Sequence, residues 1–124
     1  MQDKLQHMFE LRDSFMIKLQ DAMPGDYPVY PLDLSQKKHQ QYARDIALRG
    51  VEEIFEALAE LKNWKPHRQT EVAEFDKDKF LEEIVDAFNY FLTLILLAGF
   101  DHQDLFEMYC TKDKIINERL ETGY

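Results

Sequence analysis

The chain has 124 residues, 45% of them hydrophobic and 13% aromatic, and a formal net charge of −9. That length predicts one domain over residues 1–124, and that apolar content excludes an intrinsically disordered chain. The acidic balance argues against binding to a nucleic-acid backbone, which needs a basic face, but allows a small polyphosphate bridged by metal ions.

The start of the chain, Gln2 to Gln6, is polar and is not expected to act as a secretory leader. Leu5, Met8, Phe9, Leu11, Phe15, Ile17 and Leu19 then recur at helical spacing and predict a first helix of roughly five turns. Pro24, Gly25, Pro28 and Pro31 form a loop, because each proline removes a donor and restricts the residue before it. Asp33 or Ser35 can cap a second helix that runs to about Asn63, where Pro66 forces a stop. Gly50 marks a bend in that helix or a place where something packs close.

Residues 66–77 are polar and predict a loop, after which Asp76 or Asp78 opens a third helix that closes at Gly99. From Phe80 to Ala98 the apolar residues wrap nearly the whole circumference, as in a helix buried on more than one side. Its apolar run, broken by Asn89, Tyr90 and Thr93, is well short of the ~20 residues that span a bilayer, so no membrane partner is expected. Asp101 caps a fourth helix to about Leu120. No stretch alternates with period two, and the fold class is an all-α bundle of four main helices. The single cysteine, Cys110, cannot form an intramolecular disulfide and suits a reducing, cytoplasmic setting; it reads as a packing or surface thiol.

Two carboxylate pairs carry the chemistry. Glu53/Glu56 and Glu83/Asp86 each have i, i+3 spacing, which places both acids on one side of a helix turn, where like charges repel. On the second helix Val51, Ile54, Phe55, Leu58 and Leu61 form one arc and Glu53, Glu56 and Glu60 the opposite one, the pattern of an ordinary amphipathic helix with a solvated acidic face. On the third, Glu83 and Asp86 interrupt a buried segment and need cations, either basic residues or a metal. Four converging carboxylates are the donor set of a hard divalent ion, Mg²⁺ with Mn²⁺ as a substitute. A di-iron bundle would need Glu-x-x-His, and His7, His39, His67 and His102 are not placed to provide it.

Glu52-Glu53-Ile54-Phe55-Glu56, followed at a distance by Glu83-Ile84-Val85-Asp86, resembles the EExxE…ExxD signature of the all-α nucleoside triphosphate pyrophosphatases, the superfamily of the MazG proteins and the dimeric dUTPases. Asn63-Trp64-Lys65 and the C-terminal Tyr109-x-x-Lys112…Arg119-x-x-x-Gly123-Tyr124 are similar to elements of the dUTPase-like branch. The resemblance covers about Asp33 to Tyr124. Two departures leave base specificity open. Leu11 to Met16 has no amide where that branch reads uracil, and Ile116 stands where an asparagine is expected, with Asn117 one place later.

The resemblance implies hydrolysis of a (deoxy)nucleoside triphosphate, such as the pyrimidine nucleotides dUTP or dCTP, to the monophosphate and pyrophosphate. Glu53 would orient or deprotonate the attacking water, with Glu53, Glu56, Glu83 and Asp86 as metal ligands. Lys65, Lys112, Arg119 and Tyr124 would meet the substrate, chiefly its phosphates. Trp64 would wall the base or simply pack, and Asn89 would reach the nucleotide or satisfy a neighbour. The alternatives are a broad-specificity, house-cleaning MazG-like hydrolase and a non-catalytic helical interaction module. A homodimer or larger even assembly is expected, because Phe88, Phe91, Leu92, Ile95 and Leu96 read as apolar surface that one short chain cannot cover.

Overall fold

A computed structural model of the chain describes residues 3–25, 30–72 and 74–123. Among these the fold is all-α: α1 (Lys4–Ala22), α2 (Lys37–Leu58), α3 (Lys77–Leu97) and α4 (His102–Thr122), with no strand. No single helix among the described residues is long and apolar enough to cross a membrane. The chain divides into two compact units, one comprising Met1–Asp33 with Ile95–Tyr124 and the other Leu34–Leu94.

In the first unit, Asp3 caps α1 by accepting the Gln6 N–H at 3.2 Å, and α1 packs on α4 with Phe9 edge-on to His102 at 6.3 Å between ring centroids. Phe9, Met16, Leu32, Leu96 and Leu97 are buried. The Leu32 N–H donates to the Leu97 carbonyl, tying the chain after Pro31 to the end of α3; the expected loop around Pro28 lies in part outside the described residues. The Tyr30 phenol is pushed up to about 12 by burial and by its hydrogen bond to the Asp13 carboxylate. The expected closing glycine is in place. Gly99 has φ +90°, its N–H donates to Leu96 and that of Phe100 to Ile95, a pairing that satisfies the last α3 carbonyls. Asp101 and Asp104 then cap α4 reciprocally, at 2.9 and 3.0 Å.

The second unit holds α2 and most of α3. Neither Asp33 nor Ser35 sits at the cap of α2. A turn at Leu34 and Ser35 brings Gln36 to the cap position without a side-chain cap bond, and Gln40 Nε2 donates to the Leu34 carbonyl at 2.8 Å. The helix also stops five residues before Asn63. Glu60 and Leu61 donate to carbonyls three residues back, which tightens the final turn, and Asn63 takes the left-handed conformation at φ 62°. Pro66 lies beyond a stop that has already happened. Asp76 opens α3, accepting the Lys79 N–H at 3.0 Å.

The largest departure from expectation is which faces are covered. Leu92 and Leu96 are buried within the chain, at 2% and 6% exposure, and so need no second subunit. Phe88, at 39% exposure, is uncovered as expected; with it Leu81, Ile84 and Val85 are uncovered on α3, and Val51, Ile54, Phe55 and Leu58 on α2. Each set follows i, i+3, i+4, i+7, one continuous stripe per helix.

Candidate functional site

Gly50 is the residue that lets α2 and α3 meet. It is buried, and a Cβ there would stand 3.2 Å from Tyr90 Cβ and 3.3 Å from Phe91 Cζ. From that contact the two helices run in opposite directions, so Glu53 and Glu56 on α2 advance toward Glu83 on α3. Ala57 on α2 and Ala87 on α3 are buried, at 2% and 0% exposure. The face of α2 turned inward is therefore Gly50–Glu53–Ala57. The acidic arc therefore lies toward α3, as converging carboxylates require, and the apolar arc lies outward.

One carboxylate oxygen from each of Glu53, Glu56 and Glu83 lies within 4.8 Å of the other two. Glu53 and Glu83 are half-buried and Glu56 is exposed. The Glu53 carboxyl is pushed above the usual range. Desolvation is the largest cause, followed by a hydrogen bond to the Glu56 side chain and by repulsion from Glu56, Asp86 and Glu83. A hydrogen bond between two carboxyl groups needs a proton on one of them, which is why it raises the Glu53 carboxyl. Asp86 is exposed and stands outside the converging set, acting on it through charge.

One of the α3 acids has a basic partner. Lys79 Nζ lies 3.1 Å from Glu83 Oε1, and that hydrogen bond, with the charges of Glu83, Glu82 and Glu60, raises the ammonium pKa. The signal was available as an i, i+4 pair, although it reaches only one of the two α3 acids.

Separations within 4.8 Å are compatible with a single ion. Two oxygens on opposite sides of Mg²⁺ stand about 4.2 Å apart, and around Ca²⁺ about 5 Å. All donors are carboxylate oxygens, which favours hard cations over zinc or iron. Three oxygens leave positions for water and substrate, the incomplete shell that Mg²⁺ sites ordinarily keep.

The remaining expected residues are dispersed. Trp64 and Lys65 follow α2 in an exposed segment, with Trp64 at 69% exposure. Asn89 is half-buried, and its carbonyl accepts the Thr93 hydroxyl at 2.9 Å. Lys112 and Arg119 are exposed on α4, in the other unit. Tyr124 lies outside the described residues. Comparison of the chain with protein families, with curated proteins and with solved structures found no match.

Proposed function

We propose that the chain is a Mg²⁺-dependent nucleoside triphosphate diphosphatase, converting a (deoxy)nucleoside triphosphate to the monophosphate and pyrophosphate. The observation that supports this most is the meeting of Glu53, Glu56 and Glu83 across two helices. Acids on a merely solvated face have no reason to converge, because repulsion favours separation. The likeness of the two motifs to the MazG and dimeric dUTPase signature supplies the reaction class, and pyrimidine deoxynucleotides such as dUTP or dCTP are the first substrates to try.

Mg²⁺ held there would neutralise the polyphosphate and make bound water more acidic. Glu53, Glu56 and Glu83 would hold the ion, with the Asp86 carboxylate adding negative charge one turn along α3. Glu53 would also orient the attacking water and accept its proton. The water oxygen bonds to the α-phosphorus, the bond from that phosphorus to the α–β bridging oxygen breaks, and pyrophosphate leaves. Phosphate-binding roles for Lys65, Lys112, Arg119 and Tyr124, and nucleotide contacts from Trp64 and Asn89, rest on the resemblance and on general chemistry alone. A cytoplasmic nucleotide pool is the matching setting.

The working form under this reading is a homodimer or a larger even assembly. The α2 and α3 stripes lie outward from the acidic faces, which leaves them available to a second copy.

The second reading is a non-catalytic helical module. Its support is the Lys79–Glu83 ion pair, which offsets part of the acidic charge without a metal. A panel of ribo- and deoxynucleoside triphosphates with Mg²⁺, assayed separately for pyrophosphate and orthophosphate, separates the two. Pyrophosphate from one or a few substrates supports the enzyme, and pyrophosphate from many noncanonical nucleotides supports the house-cleaning variant. Silence across the panel leaves the helical module.

A further inference from the structure

A second feature lies in the first unit and does not rest on the carboxylate site of α2 and α3. A cleft of about 310 Å³ opens between α1, the Tyr30–Pro31 segment and the turn joining α3 to α4. Phe9, Phe100 and Tyr30 supply aromatic walls, and Glu10, Asp13 and Asp101 supply carboxylates. His102 is the only lining side chain that can carry positive charge, since no lysine or arginine lines the cleft.

The acids are held in place by local bonds. Glu10 Oε1 accepts from Gln6 Nε2 at 3.0 Å, Asp101 Oδ1 accepts the Asp104 N–H at 2.9 Å, and the Tyr30 hydroxyl bonds to Asp13. The Tyr30 bond also turns one of the few donors in the cleft toward an acid. What remains is an acceptor-rich rim around aromatic surface. Its complement is a ligand with flat apolar faces and an edge of N–H donors carrying positive charge. The volume is at the small end of the range for ligand clefts, so the ligand is a single ring or similar in size.

We propose that this cleft binds a small, flat organic cation of the amidinium or aminated-heterocycle class. The aromatic walls contact its faces, and the carboxylates of Glu10 and Asp13 receive its N–H groups. An anion of the same shape meets three carboxylates and is rejected.

Benzamidine, benzamide and benzoate have nearly one shape and differ in charge and donors, so they serve as probes. Each is titrated into the full chain, with binding followed through the ring signals of Phe9, Tyr30 and Phe100 by NMR. Benzamidine should bind at least about five-fold more tightly than benzamide, and benzoate should not bind. Glu10→Gln with Asp13→Asn should weaken benzamidine by at least about five-fold. Phe100→Ala removes a wall from a residue already 55% exposed, so it should weaken binding with the fold intact by circular dichroism. Equal binding of benzoate overturns the proposal. So does the absence of any shift with benzamidine, or an affinity that the acid and Phe100 variants leave unchanged.

Discussion

Lys79 Nζ sits 3.1 Å from Glu83 Oε1, so one of the three converging acids already has a cation before any metal arrives. The Glu83 side chain of this pair is only 13% exposed, whereas that of Lys79 is 47% exposed. The pair therefore offsets charge next to Glu53 and Glu56, and a divalent ion bound there would compete with Lys79 for Glu83.

Removing that competitor separates the two roles. Lys79→Gln should lower the melting temperature of metal-free protein and enlarge the rise produced by Mg²⁺, because the acids then depend on the ion alone. Thermal melts with chelator and with Mg²⁺ measure both. An equal drop in the two conditions would make Lys79 an ordinary surface residue.

The pH dependence follows from Glu53. Its carboxyl is held above the usual range, so folded metal-free protein keeps that proton more tightly than the unfolded chain does. The stabilisation is complete below the ordinary glutamate pKa and is lost as pH rises through the raised value. Asp101 has the opposite sign. Backbone hydrogen bonding from Asp104 holds it below its usual range, and its contribution is lost as pH falls through the lowered value. In chelator, Glu53→Gln should gain melting temperature relative to the unmodified chain as pH rises from acid to neutral. With Mg²⁺ near neutral pH that gain should disappear, because the unmodified chain then has its cation. A difference that ignores both pH and Mg²⁺ would contradict the shared-proton arrangement.

Gly50 tests the contact that brings the acids together. Alanine gains up to about 1 kcal/mol of helix propensity. Its Cβ, however, would stand 3.2 Å from Tyr90 Cβ, an atom fixed to the α3 backbone. The overlap should prevail, with Gly50→Ala losing about 1 kcal/mol in denaturant melts and bulkier residues losing more. Glu53 is one turn away, so metal binding should weaken in parallel. A stabilised Gly50→Ala with unchanged metal affinity would mean that α2 and α3 tolerate separation there.

What could be read from the sequence was mostly local chemistry. Asp76, Gly99 and Asp101 lie where a cap or a positive φ decides the structure within one turn, and all three are at helix ends as expected. The start of α2 was not legible, because Asp33, Ser35 and Gln36 are all near enough and a turn at Leu34 selects among them. Its end was hidden because Asn63 and the tightened last turn act before Pro66 does. Spacing identified the carboxylate pairs. It did not say that Glu56 joins the converging set while Asp86 stands apart, since that depends on how α2 rotates against α3. Nor did spacing decide between a solvated acidic face on α2 and one turned toward α3.

Assembly follows from the outward stripes. Phe55 is 65% exposed and Val85 47% exposed, so neither is needed for the core of the isolated chain. Phe55→Glu and Val85→Glu should each give a folded monomer by sedimentation at micromolar concentration, where the unmodified chain sediments as a dimer or larger even assembly. A monomeric unmodified chain would leave those stripes without the proposed partner.

The central claim is that Glu53, Glu56 and Glu83 form one divalent-cation site, and Mn²⁺ binding followed by electron paramagnetic resonance tests it without assuming a substrate. The chain should hold Mn²⁺ in competition with Mg²⁺. Glu53→Gln, Glu56→Gln and Glu83→Gln should each weaken it by more than about ten-fold, and Asp86→Asn, outside the set, by less than that. Glu60→Gln, past the end of α2, should change little. Mn²⁺ held equally well by the Glu53/Glu56/Glu83 triple glutamine variant, or not held by the unmodified chain at millimolar concentration, would contradict the account.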